Sequence, residues 1–132
     1  MARPASGHPT ELELQILKVL WQHAPQPVSQ VREALAGQDR KLAHTSVITT
    51  LNTMVRKAYL ERVKNGKTWL FSPRVAEADV SRRMLADVVD RVFDGSAKSV
   101  LLSLFDNREL DHDELKELRQ LINQKLKGQT QI

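Results

Sequence analysis

A mainly α-helical fold with one small β-hairpin is predicted by three observations. Apolar residues recur at helical spacing in six separate stretches. Between the third and fourth, Asn65-Gly66 stands between YLERVK and KTWLFS, the strongest short-range signal for a two-residue hairpin. With no cysteine and 41% hydrophobic residues, the chain must rely on an ordinary apolar core, since disulfides and thiolate metal sites are excluded.

In PTELELQILKVLWQ, Thr10 and Glu13 form a capping box, and Leu14, Leu17, Leu20 and Trp21 follow at helical spacing, so a first helix is expected over about 11–23. The two prolines of APQPVSQ end it, and Ser29 is expected to cap a second helix that closes at Gly37. After GQDRKLA, the run HTSVITTLNTMVRKAYL predicts a third helix over about 44–58. The hairpin comes next, with Lys64 expected opposite Lys67 and Pro73 stopping its second strand. Three helices with short links followed by a hairpin is the layout of a winged helix-turn-helix domain. Trp21 and Trp69 lie in apolar runs and are expected in the core.

Past Pro73 only helices are predicted. In VAEADVSRRMLADVVDRVF, Val80, Met84, Val88 and Val92 form a four-residue row, with Asp94-Gly95 as the stop. Ser96 caps AKSVLLSLF, and Asp111 with Glu114 starts ELKELRQLINQKL, where Leu115, Leu118, Ile122 and Leu126 line one face. Three short amphipathic helices cannot bury all of this apolar surface alone, which points to a homodimer. The expected interface comprises Val80, Met84, Val88, Val92, Leu101, Leu104, Leu115, Leu118 and Ile122. The expected organisation is a flexible N-terminus (1–8), a winged-helix domain (9–74), an α-helical dimerisation region (75–127) and a tail (128–132).

Net charge is +4, unevenly spread. Through residue 75, eleven Lys and Arg face five Asp and Glu; the remainder carries nine basic and eleven acidic residues. An electropositive first part joined to a mildly acidic second part suits a polyanionic partner for the first alone. Apolar runs are too short for membrane insertion, and MARPASGHPT lacks the apolar centre of a signal peptide, so a cytoplasmic protein is expected.

The third helix carries the functional case. At about 100° per residue, Val47, Leu51, Met54 and Ala58 fall on one side, the expected buried side. Thr45, Ser46, Ile48, Thr49, Asn52, Thr53 and Arg56 fall on the other or at its flank. Hydroxyls, an amide and an apolar side chain are poor choices for helix stability, whereas they suit base edges and thymine methyls in a major groove. No carboxylate on that face would repel phosphate. Arg40, Lys41, Asn52, Arg56, Lys57, Arg62, Lys64 and Lys67 are the expected contacts to the DNA backbone.

Enzyme chemistry finds no support. His8, His23, His44 and His112 are not paired at metal-ligand spacing, DHDE is accounted for by helix capping, and phosphate-loop and nucleophile-elbow motifs are missing. No catalytic residue, metal or cofactor is expected.

The segments LQILKVLWQ, PVSQVREAL, HTSVITTLNTMVRKAYLERVKNGKTWLFSP and DVVDRVFDGSAKSVLLSLFDNRELDHDELKELRQLI resemble the penicillinase-repressor family of BlaI, MecI and CopY type, over about residues 9 to 125. The resemblance implies a homodimeric winged-helix repressor that binds palindromic operators in double-stranded DNA. It implies base reading by Thr45, Ser46, Ile48 and Thr49, with the hairpin as wing. It further implies relief of repression by a membrane sensor-protease, with cleavage at the bond matching Ser103-Leu104. The cysteine-rich metal motif of the copper-responsive members has no counterpart here, which excludes copper sensing by that route. Two other classes remain open from the residues alone: a winged-helix protein-interaction module and a small-molecule-responsive regulator.

Overall fold

Residues 8–130 are described by the computed structural model. Most of the expected flexible N-terminus, residues 1–7, and the last two residues of the expected tail lie outside them. Six helices and one hairpin follow in the order α1 (Glu11–Gln22), α2 (Val28–Ala36), α3 (His44–Arg56), β1 (Leu60–Asn65), β2 (Thr68–Pro73), α4 (Glu77–Val92), α5 (Ala97–Asn107) and α6 (His112–Thr130). The last helix therefore continues into the segment expected as tail. The chain divides into two compact units, one ending at Ala86 and the other beginning at Asp87, within the span of α4.

In the first unit, α1 starts as its sequence dictates. The Thr10 side chain accepts from the Glu13 N–H, and the Glu13 side chain accepts from the Thr10 N–H at 2.9 Å, which satisfies two N–H groups that the first turn leaves unpaired. The buried stripe is turned from the expected one. Ile16, Leu17 and Leu20 are at most 1% exposed and Leu14 is only half-buried. Glu13 lies on this stripe at 3% exposure because Lys57, at the C-cap of α3, reaches it at 2.8 Å. A carboxylate enters a core surface only with such a partner.

Pro27, not Ser29, occupies the N-cap of α2, and Ser29 is exposed inside the helix. Proline is preorganised for the extended backbone at that boundary, so α2 begins two residues earlier than it would with Ser29 as its cap. Beside it, Gln26 exchanges both backbone hydrogen bonds with Phe71, at 3.1 and 2.9 Å, so the link between α1 and α2 adds a bridge to the hairpin's second strand. The stretch that reads as a helix break is thus also a sheet contact.

α3 buries Val47, Leu51 and Met54, each 0% exposed, against α1, α2 and the hairpin residues Leu60 and Phe71. Burying each such side chain contributes roughly 1.5–3 kcal/mol. The helix stops two residues earlier than expected. Ala58 adopts φ 68°, with its N–H on the Val55 carbonyl and the Tyr59 N–H on that of Met54, the paired bonds of a Schellman turn. Ala58 is accordingly exposed, not part of the buried side.

The hairpin register corrects a further expectation. Asn65 pairs with Thr68 and Lys64 with Trp69, leaving Gly66-Lys67 as the two-residue loop. Positive φ occurs at Gly66 (66°), the first loop position, as a type II′ turn requires, so Lys64 and Lys67 do not face each other.

In the second unit, Ser96 caps α5 through the Ser99 N–H (3.1 Å), and Asp111 caps α6 through the Glu114 N–H (2.8 Å). Asp94 and Gly95, both at positive φ, turn the chain out of α4. Among the described residues, α5 and α6 contribute no buried side chain.

The Glu13–Lys57 pair predicts an asymmetry in chemical denaturation. Lys57→Met strands a carboxylate that is almost fully buried and should cost about 3 kcal/mol. Glu13→Gln keeps a capping acceptor and leaves a lysine able to reach water, so its cost should be less than half of that.

Candidate nucleic-acid interface

Once one side of α3 is committed to the core, the opposite side is set by the helical period. Thr45, Ser46 and Thr49 are exposed, and among the described residues no hydrogen bond engages their hydroxyls. Ile48 is half-buried, packed at the margin of the core. Two other hydroxyls of this helix are spent locally: Thr50 donates to the Ser46 carbonyl at 2.9 Å and Thr53 to the Thr49 carbonyl at 3.0 Å. The Arg56 guanidinium donates to Thr53 Oγ1 at 3.2 Å, which holds one exposed cation against the last turn.

The hairpin joins this surface through a chain of contacts. Arg62 donates to Asn52 Oδ1 at 2.8 Å, and its guanidinium carbon lies 4.4 Å from the centroid of the Trp69 ring. Lys64 Nζ lies 4.8 Å from the same centroid. The register explains this, because residues of like parity point to one face of a sheet. Leu60, Phe71, Arg62, Trp69 and Lys64 share that face, which is core at the hairpin base and a cation-covered indole towards the tip. Trp69 packs against the core on one side, as expected, while also holding two cations by attraction to its π-electrons. That second role is missed by reading the apolar run alone; the alternation R-V-K opposite W-L-F is the signal that contains it.

The eight residues expected at the DNA backbone fall into three groups. Lys41, Lys64 and Lys67 are exposed. Asn52, Arg56 and Arg62 are exposed or half-buried and tied into the network just described. Arg40 and Lys57 are engaged on α1: Arg40 donates to Gln15 Oε1 at 3.0 Å and lies 3.7 Å from Glu11, and Lys57 is held by Glu13. Arg32, which the sequence does not single out, donates to the Leu42 carbonyl at 2.8 Å and so fastens the link between α2 and α3.

Of the expected interface residues, Val88, Val92, Leu101, Leu104, Leu115 and Ile122 are 37–67% exposed. Met84 and Leu118 are half-buried. Val80 differs: it is 6% exposed within the first unit, so it already has cover and cannot serve as open interface. Ser103 is half-buried on α5 and accepts from Asn107 Nδ2 at 3.1 Å, and Leu104 is exposed.

Three helices, a two-stranded wing and a positively charged surface around the third helix define the winged-helix class. The profile of the penicillinase repressor family matches residues 9–124, and the chain belongs to that family of transcriptional repressors, not of enzymes. It is 24% identical over 115 residues to the penicillinase repressor of Bacillus licheniformis, covering 87% of this chain and 89% of that one. To the methicillin resistance regulatory protein MecI of Mammaliicoccus sciuri it is 22% identical over 113 residues, covering 86% and 91%. Wild-type MarR from E. coli in its apo form shares the fold at a TM-score of 0.50 and 17% identity, over 89% of this chain and 78% of that chain. No helix among the described residues is long and apolar enough to cross a membrane.

A double-mutant cycle with Arg62→Met and Trp69→Leu, read by denaturant unfolding, should give a coupling of about 0.5–1 kcal/mol, the usual worth of a cation over an indole at an exposed site.

Proposed function

We propose that the chain is a homodimeric, sequence-specific transcriptional repressor that reads a palindromic operator with α3 and grips the flanking phosphates with its hairpin. The observation that carries this reading is the outer face of α3, where Thr45, Ser46 and Thr49 present uncommitted hydroxyls with no carboxylate among them. Ile48 adds an apolar edge able to pack on a thymine methyl. Lys41, Arg56, Arg62, Lys64 and Lys67 supply the sequence-independent attraction, with Asn52 fixing Arg62. Arg40 and Lys57 would act there only by leaving their partners on α1, so their role is to hold α3 in place.

The second unit supports dimerisation, since α5 and α6 leave Leu101, Leu104, Leu115 and Ile122 37–50% exposed. A two-fold dimer would hold two α3 helices about 34 Å apart, one turn of DNA, and binding both half-sites at once multiplies affinity. Cleavage at Ser103-Leu104 by a membrane sensor-protease would remove that gain. The bond lies inside α5, so a protease would need this turn to unwind.

In a gel-shift series, Thr49→Ala and Ile48→Ala should each reduce discrimination between operator and scrambled DNA by about 1–3 kcal/mol, while non-specific binding is unchanged. If neither alters discrimination, α3 is not the reading element. Replacing Lys64 and Lys67 together with Ala should weaken binding to all sequences alike and lower the log–log salt slope by up to about two per protomer. A protein-interaction module would instead show weak, salt-insensitive DNA binding. Sedimentation should give a dimer at low micromolar concentration, and a monomer at high micromolar concentration would remove the bivalent mechanism.

A further inference from the structure

The segment before α1, the base of the hairpin and α4 as far as Ala86 line an open cavity of about 590 Å³ that lies wholly within the first unit and shares no lining residue with the outer face of α3. Its volume is that of a small-molecule site. The walls are mainly apolar, with Val75, Ala76 and Val80 among them, and the charged groups on its rim are strongly biased to one sign. Arg74, Arg82 and Arg83 line it against a single carboxylate, Asp79. Asp79 is already taken by Arg82 at 2.8 Å, which leaves Arg74 and Arg83 without an ion-pair partner among the described residues.

Tyr59, His8, Pro9 and Ala86 complete the lining. Burial, and secondarily the nearby Glu13 carboxylate, push the Tyr59 phenol above the ordinary value, so at neutral pH it remains a hydrogen-bond donor. Arg83 lines the same cavity as that phenol, so the space holds a guanidinium and an O–H donor beside its apolar walls. A metal cation would be repelled by this set. A free phosphate would be poorly served by the valine and alanine walls. Two cationic donors, one neutral donor and an apolar wall together fit an anionic head on an apolar body.

We propose that this cavity binds a small organic acid, its carboxylate met by Arg74, Arg83 and the Tyr59 hydroxyl and its apolar body laid against Val75 and Val80. The site is placed to affect DNA binding. The Arg74 N–H donates to the Tyr59 carbonyl at 2.8 Å, and the Tyr59 N–H closes the end of α3 on Met54 at 2.9 Å. The Val75 carbonyl accepts from Trp21 Nε1 at 2.9 Å, tying the same wall to α1. A ligand that shifts Tyr59 or Val75 therefore shifts residues bonded directly to the two helices that set the reading face.

The binding step stands apart from any DNA activity and is tested alone. The 15N-labelled full chain is titrated with benzoate, phenylacetate and hexanoate, and in parallel with benzamide, phenylacetamide and hexanamide. At least one acid should shift the amides of Tyr59, Val75 and Val80 with a Kd of about 1 mM or tighter, and its neutral amide should bind at least about tenfold more weakly. Arg83→Gln should weaken the acid by about tenfold, whereas Arg82→Gln, which alters a cation already paired, should change it less than threefold. Acids that leave all three amides unmoved, or that bind no better than their amides, overturn the proposal. That comparison is made on the unaltered chain and does not depend on how the variants fold. An equal response of Arg82→Gln and Arg83→Gln would overturn the assignment of the carboxylate to Arg83.

Discussion

Lys57 and Glu13 join the C-cap of α3 to the first turn of α1 across 2.8 Å, with the carboxylate almost wholly removed from water. The same carboxylate caps α1 with Thr10. One acidic side chain therefore fixes the start of the first helix and the end of the third. Charge in a low-dielectric setting is costly unless paired, so the buried Glu13 carboxylate needs the end of α3 beside it. From this point the chain turns through Ala58 at positive φ, and Tyr59 leads into the hairpin. The direction of the wing and the cavity beneath it both follow from where α3 is made to stop.

The outer face of α3 is what remains after the core has taken its share. Val47, Leu51 and Met54 spend one side of α3 on packing, and Thr50 and Thr53 spend their hydroxyls on the helix's own backbone. Thr45, Ser46 and Thr49 are left over. The cations sort in the same way: Arg40 and Lys57 stabilise the scaffold, while Arg62 and Lys64 are held on Trp69, so that long, otherwise mobile side chains present their charge with less ordering left to do.

The second unit has the opposite character. Its caps are well formed, yet α5 and α6 bury nothing, so its helices are specified locally and left incomplete tertiarily. Helices of this length owe most of their stability to packing of an apolar face, and here the protomer does not supply that packing. In the dimer proposed above a second copy would supply it, and stability of this unit and occupation of two half-sites would then be properties of one event.

The helix order, the hairpin and the caps at Thr10, Ser96 and Asp111 were legible in the sequence because each depends on residues within a few positions of one another. The side of α3 that faces outward was legible too, since the helical period alone separates Val47, Leu51 and Met54 from Thr45 and Thr49. Other features required the tertiary structure. Glu13 reads as a capping residue, and its burial depends on a lysine 44 positions away. Lys64 and Lys67 look opposed until the positive φ at Gly66 fixes the loop one residue further on, placing Lys64 beside Trp69. Arg74 and Arg83 stand apart in the chain and line one cavity. The sequence by itself determined the elements and the chemistry of the outer face of α3, through short-range hydrogen bonding and periodicity. Only the tertiary structure decided which charges are spent on the scaffold and which stay exposed, because pairing across distant segments is set by packing and not by spacing.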